Sequence, residues 1–127
     1  MMKHAYETYK QQSVMTMTQV EMLTMLYDGI LKELYAAKKA FASQPPDLAE
    51  INRRLQKTNR IFNYLQSSLD TEYDIAKNLL SLYDYFSWLV TQANLKKDPA
   101  GLDEVEEMIA QLRDAYIQAD KNLRMHA

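Results

Sequence analysis

The sequence contains no cysteine, only two glycines and only three prolines among its 127 residues. Without cysteine, the chain has no disulfide, no thiolate metal ligand and no thiol nucleophile. A sandwich or barrel of many short strands needs frequent turns, and turns depend on glycine and proline. This scarcity therefore argues against an all-β fold and favours long helices.

Histidines and phosphate-binding motifs are scarce too. The two histidines, His4 and His126, stand near opposite ends of the chain. Frayed ends do not supply the fixed geometry that a catalytic or metal-binding histidine needs. No glycine-rich nucleotide-binding loop is present. We therefore predict neither an enzyme nor a bound cofactor or metal.

The chain also lacks a strong charge and a long apolar run. Its net charge of −2 offers no broad attraction for nucleic acid. No apolar stretch approaches the roughly 18 residues that suggest a membrane span. The first residues lack the apolar region of a signal peptide. We expect a cytoplasmic protein that neither binds nucleic acid nor inserts into a membrane.

What the sequence does have is an apolar rhythm of alternating three- and four-residue steps, typical of bundled helices. Thr18 and Glu21 form a capping-box pattern at the start of the first helix, and Thr71 is the expected N-cap of the third helix. The rhythm predicts four helices, at about 18–43, 47–69, 72–96 and 101–124. Matched lengths and short connections predict one domain, residues 1–127, folded as an all-α, antiparallel up-down-up-down four-helix bundle.

The rhythm also predicts which residues form the core. Every series is apolar except for one threonine in the second helix, Thr58. In the first helix, the predicted core residues are Val20, Leu23, Tyr27, Ile30, Leu34, Ala37 and Phe41. In the second, they are Leu48, Ile51, Leu55, Thr58, Phe62, Leu65 and Leu69. In the third helix, the predicted core residues are Ile75, Leu79, Leu82, Phe86, Leu89 and Ala93. In the fourth, they are Leu102, Val105, Ile109, Leu112, Tyr116, Ala119 and Leu123.

Residues 1–17 keep no long period and stand apart from the bundle pattern. One interpretation is a short segment that caps one end of the bundle. The other is a movable flap, with Tyr6, Tyr9 and Val14, which lies on a groove that a partner later occupies.

The second helix carries a basic stripe made of Arg53, Arg54, Lys57 and Arg60. No stacking aromatics of a known RNA-binding module accompany it. We expect the stripe to be solvated or to face the acidic start of the fourth helix.

Apolar and aromatic residues exceed what the core series require. The chain has nine tyrosines and eight methionines, and the residues beyond the core series include Met22, Tyr64, Tyr85 and Trp88. A broad core would absorb some of them, and for any single residue that is the simpler explanation. Together they favour a groove for an amphipathic partner helix, because tyrosine suits half-wet interfaces and methionine adapts to varied shapes.

Several short pieces of sequence, in this order, point to a known family. The first helix contains Leu26-Tyr27-Asp28-Gly29-Ile30, and the second ends in Ser68-Leu69-Asp70. The third contains Ile75-Ala76-x-Asn78-Leu79 followed by Leu82-Tyr83-Asp84-Tyr85, and the fourth contains Leu112-Arg113-Asp114-Ala115. Through these pieces, the chain resembles the flagellar secretion chaperone family, FliS.

The resemblance implies a cytoplasmic chaperone that binds the C-terminal region of flagellin and keeps it monomeric. It would deliver flagellin to the flagellar type III export gate. The residues expected to form its groove are Leu26, Tyr27, Asp28, Leu80, Tyr83 and Asp84. Asp28 and Asp84 each follow a core tyrosine, so a role in hydrogen-bond networks fits them as well as contact with a partner.

Two other interpretations use the same features. A helical adaptor would hold another flagellar or secretion protein in its groove. A structural dimer would use the surplus apolar surface as its own interface.

Overall fold

The computed structural model describes residues 18–125, and these form four α-helices. Helix α1 spans Gln19–Ala42, α2 Leu48–Ser67, α3 Asp74–Lys96 and α4 Leu102–Met125. All eight bounds lie within two residues of the predicted ones. The prediction of an all-α helical bundle is confirmed. The predicted flap, with Tyr6, Tyr9 and Val14, lies outside the described residues.

Side-chain caps define the starts of the first two helices. The Glu21 N–H donates to the Thr18 hydroxyl at 3.1 Å at the start of α1, and the Glu50 N–H donates to the Asp47 carboxylate at 3.1 Å at the start of α2. Thr71 was the wrong N-cap for α3, because that position belongs to Tyr73, which makes no side-chain cap bond. The Asp70 carboxylate accepts the Glu72 N–H at 3.1 Å, so a turn comes between Leu69 and the helix.

The helices run antiparallel around the bundle. Asp28 of α1 pairs with Arg113 of α4, and Lys38, further along α1, pairs with Asp103, nearer the start of α4. Each helix packs on its two neighbours in chain order around a ring, and α3 packs least closely on α4. Consequently, α1 and α3 lie diagonally across the bundle.

The turn between α3 and α4 depends on Gly101. Its φ of 94° lies in the region that favours glycine, and a Cβ there would stand 3.3 Å from the Leu89 side chain. Glycine therefore lets the start of α4 approach α3 closely.

At three positions, the buried face of α3 lies one residue further along the chain than the predicted core series, so the helix is rotated about its axis relative to the prediction. Phe86 and Ala93 are buried as expected. The other buried positions of α3 are Ala76, Tyr83 and Val90, each one residue after the predicted Ile75, Leu82 and Leu89. Because both members of each pair are apolar, the apolar rhythm alone could not fix the rotation.

The two ends of the bundle differ in how far the core side of α4 is buried, although Leu48 and Leu95, at the end where α4 starts, are also exposed. At the closed end, where α4 starts, Leu102, Val105 and Ile109 are all fully buried. At the other end, Ile75 of α3 is 67% exposed and Leu123 of α4 is 72% exposed, although both were predicted core residues. We call this the open end; α1 and α3 begin there, and α2 and α4 finish there.

Candidate partner-binding site

An apolar groove lies at the open end, between the start of α1 and the finish of α2. Its volume is about 440 Å³. We call it the α1–α2 groove, and its apolar and aromatic lining consists of Met22, Leu23, Leu26, Tyr64, Leu69 and Tyr116, with Leu65 beneath. Tyr64 is 52% exposed, and its hydroxyl lies 3.9 Å from the Met22 sulfur. The groove thus combines a deformable methionine with an aromatic ring that is half open to solvent.

Of the predicted groove residues, the structure places Leu26 in this lining. Leu23, Leu69 and Tyr116 belong to the predicted core series, but they are only half-buried. Met22 and Tyr64 belong to the surplus apolar residues, and this surplus was the signal in the sequence for a groove.

Tyr27 and Tyr83 occupy the core and not a groove, which corrects their predicted place. Tyr27 is fully buried and Tyr83 is 1% exposed, so neither offers surface to a partner. Their hydroxyl oxygens are 2.5 Å apart, in a hydrogen bond that joins the diagonal helices α1 and α3. Burial raises the pKa of both tyrosines, and for Tyr27 the hydrogen bond raises the pKa further.

The remaining predicted residues do not form one surface. Asp28 of α1 accepts a hydrogen bond from Arg113 of α4 at 2.9 Å, whereas Asp84 of α3 accepts from Gln66 of α2. Leu80 is half-buried on α3 and does not line the groove. Because α1 and α3 are diagonal, their outer faces point to different sides of the bundle. The two aspartates hold neighbouring helices together, as the hydrogen-bond alternative predicted.

Two residues of the basic stripe of α2, Arg54 and Lys57, pair with α1 and not with α4, whereas Arg53 and Arg60 are exposed to solvent. The Glu33 carboxylate of α1 is 2% exposed and lies 2.9 Å from the Arg54 guanidinium and 3.1 Å from the Lys57 ammonium. Burial alone would raise the pKa of Glu33, but the hydrogen bonds from Arg54 and Lys57 outweigh it and lower the pKa. The acidic start of α4 pairs instead with Lys38 of α1.

Two findings bear on other kinds of site. Between residues 18 and 125, no group of three or more His, Cys, Asp and Glu side chains could hold a metal ion. No helix in the same range has the length and apolarity that crossing a lipid bilayer requires.

Comparison with known proteins assigns the chain to a family. A family model described as "Flagellar protein FliS" matches residues 2–123. The chain belongs to the FliS family. The resemblance inferred from the sequence pieces is therefore confirmed.

Curated FliS relatives match along most of their length. The flagellar secretion chaperone FliS of Bacillus subtilis (strain 168) is 34% identical over 122 residues, or 96% of this chain and 90% of the relative. The one from Vibrio cholerae (strain El Tor Inaba N16961) is 35% identical over 123 residues, covering 92% and 89%. The one from Escherichia coli (strain K12) is 33% identical over 106 residues, covering 82% and 77%.

A solved structure supports the FliS fold. A crystal structure described as a flagellar chaperone from bacteria superimposes with a TM-score of 0.77, and the match covers 94% of this chain and 98% of the other. At 22% identity, this likeness supports the fold alone. The family places this chain among the chaperones of flagellar biogenesis, which are not a class of enzyme.

Proposed function

We propose that this protein binds the C-terminal region of flagellin in the cytoplasm, prevents its premature polymerisation and delivers it to the flagellar type III secretion apparatus. The observation that carries the proposal is the apolar open end of a bundle from a flagellar chaperone family. A helical partner segment would cover side chains there that the bundle itself leaves exposed.

The energetics suit a complex that forms and later releases its cargo. Complete burial of one large apolar side chain contributes about 1.5–3 kcal/mol, and the α1–α2 groove offers several such side chains. A segment that is disordered before binding loses conformational entropy when it folds onto the groove, which offsets much of this gain. Binding can therefore be specific without being irreversible.

The predicted flap extends the proposal to residues 1–17. This segment directly precedes Thr18, which caps α1 at the open end. A flap that contains Tyr6, Tyr9 and Val14 would be close enough in the chain to cover the α1–α2 groove until flagellin replaces it.

The direct test is calorimetric titration with a flagellin fragment that ends at the native C-terminus, and with the same fragment truncated there. We expect one-to-one binding that the truncation abolishes. Tyr64→Ala should weaken binding about tenfold, or ~1.4 kcal/mol, because it removes an exposed groove ring. Tyr35→Ala is the matched control, since Tyr35 is 62% exposed but does not line the groove.

Other outcomes would separate the alternatives. If neither fragment binds, the flagellin assignment is wrong and the helical adaptor for another flagellar or secretion protein becomes the leading interpretation. If the protein stays dimeric at low concentration and ignores flagellin, its apolar surface is its own interface. Equal losses in Tyr64→Ala and Tyr35→Ala would argue against the groove.

A further inference from the structure

A second aromatic surface lies on α3, away from the α1–α2 groove. Tyr85 is 42% exposed and Trp88 is 56% exposed. Their rings are stacked, with centroids 6.5 Å apart and planes 20° from parallel. Beside them, Trp88, Leu89 and Ala100 line a depression of about 180 Å³ at the turn into α4. We call Tyr85, Trp88 and this depression the α3 aromatic patch.

The patch is ordered by contacts within the free protein. The Tyr85 hydroxyl donates to the Glu104 carboxylate, whose two oxygens lie at 3.0 and 3.1 Å. The Tyr85 ring also packs against the buried Phe86 ring, with centroids 6.0 Å apart. A tryptophan and a tyrosine held in place lose little side-chain entropy on binding, and both are enriched where binding energy concentrates.

The charges beside the patch indicate the kind of partner that it fits. Asp84 precedes Tyr85 on α3, and Glu104 and Glu107 lie one helical turn apart on α4. In residues 18–125, none of these three carboxylates forms an ion pair, whereas nearby Asp103 and Glu106 both pair with Lys38. One cation, Lys96, lies at the far side of the depression. This border attracts a basic partner and disfavours nucleic acid or an anionic membrane.

We propose that the α3 aromatic patch is a second protein-binding surface, which takes an amphipathic helix with lysine or arginine beside its apolar face. Apolar side chains of that helix would cover Tyr85 and Trp88, and its cations would meet Asp84, Glu104 and Glu107. The patch shares no residue with the α1–α2 groove, so both surfaces can be occupied together. The inference therefore goes beyond flagellin binding and stands or falls separately from it.

The chain contains a built-in reporter for this test, because Trp88 is its only tryptophan. The probe is a synthetic amphipathic helix of leucine and lysine without tryptophan, and its counterpart carries glutamate in place of lysine. We expect the lysine peptide to shift Trp88 emission to shorter wavelength with one-to-one saturation. The glutamate peptide should leave the emission unchanged.

Charge-reversal variants distinguish the patch from general attraction to an acidic protein. Glu104→Lys combined with Glu107→Lys should weaken lysine-peptide binding at least about tenfold, measured by calorimetry. Glu21→Lys combined with Glu72→Lys changes the net charge equally near the open end and should leave the affinity nearly unchanged. Tyr85→Ala should weaken binding similarly, while the groove variant Tyr64→Ala should not.

Four results would overturn the proposal. The lysine peptide could leave Trp88 emission unchanged, or the glutamate peptide could bind equally well. Equal losses in the two charge-reversal pairs would show attraction to net charge alone. Finally, dimerisation of the protein by itself that disappears in Trp88→Ala, measured by sedimentation, would make the patch a contact between copies of this chain.

Discussion

Tyr27 and Tyr83 bring two hydroxyl groups together among the apolar side chains of the core. Each hydroxyl is the hydrogen-bond partner of the other at 2.5 Å. A buried hydroxyl without a partner costs about 1–3 kcal/mol, whereas removal of both groups can be nearly neutral. The pair therefore makes each tyrosine depend on the other across the diagonal of the bundle.

We expect Tyr27→Phe and Tyr83→Phe each to lower the free energy of unfolding by about 1–3 kcal/mol, because each leaves one buried hydroxyl alone. The double variant should lose less than the sum of the single losses. Urea unfolding at neutral pH measures all three. Tyr116→Phe is the control, since its half-buried hydroxyl is not part of the pair. Additive losses from the two single variants would show that the hydroxyls act independently.

The same pair predicts a pH dependence with a definite sign. Both tyrosines have a raised pKa in the folded protein, so the fold favours the neutral phenol. The stability linked to them is complete below the unfolded pKa of about 10 and is lost as the pH rises above it. The unfolding free energy should therefore fall more steeply above pH ~10 in the parent protein than in the double phenylalanine variant.

At the residue scale, the sequence distinguished these two tyrosines poorly. Both were predicted as core tyrosines and also as groove residues, although only Tyr27 belonged to a predicted core series. Both follow a leucine and precede an aspartate. A pattern of neighbours does not show whether a ring points inward, because that depends on how each helix is rotated in the bundle.

At the scale of helices, the contact of α1 with α2 combines apolar packing with a buried carboxylate. Glu33 receives hydrogen bonds from Arg54 and Lys57, and it is 2% exposed. A buried charge that loses its partner is costly, whereas an exposed ion pair contributes little. Arg54 and its neighbour Arg53 allow these two situations to be compared within one helix turn.

We expect Arg54→Leu to lower the free energy of unfolding by about 2–3 kcal/mol, since Glu33 loses a charged hydrogen-bond partner. Arg53→Leu is the matched control, because Arg53 is 56% exposed and, within residues 18–125, pairs only with Glu50 of its own helix. Its loss should stay below about 1 kcal/mol. Chemical denaturation at neutral pH compares the two. Equal losses would mean that the burial of Glu33 does not increase the contribution of its ion pair to the free energy of unfolding.

Helix bounds were predictable from the sequence because caps, prolines and periods act locally. The rotation of α3 was not, since Ile75-Ala76, Leu82-Tyr83 and Leu89-Val90 offer an apolar residue in either rotation. The contact of Tyr83 with Tyr27 is made in only one of them. Partners distant in sequence therefore selected between two locally equivalent faces, and this selection placed Tyr83 in the core.

At the scale of the molecule, the closed and open ends differ in how well they are packed. The apolar rhythm continues through both ends, so the sequence predicted a uniform core. Burial decreases towards the end of α4, where Leu112 and Tyr116 are half-buried and Leu123 is exposed. The sequence predicted exposed apolar surface in the form of a groove, but it did not predict that the groove lies at one end, because its position depends on how the helices pack.

This difference predicts how backbone amides exchange with solvent. Amides of Val105–Ile109 at the closed end should exchange slowly in the free protein, because they are hydrogen-bonded within α4 and the side chains of Val105 and Ile109 are buried in the core. Amides of α4 beyond Tyr116 should exchange faster, since few buried side chains hold the last turns of this helix against the bundle. Hydrogen–deuterium exchange followed by mass spectrometry would resolve the two halves of the same helix.

Addition of the flagellin fragment should then slow exchange mainly at the open end, in the first turns of α1 and the last turns of α4. The physical reason is that a bound helix buries the apolar side chains that the bundle leaves exposed there. Tyr64→Ala should reduce this protection, and Trp88→Ala should preserve it, because Trp88 lies outside the α1–α2 groove. Protection confined to the closed end would place flagellin on a different surface and contradict the open-end site.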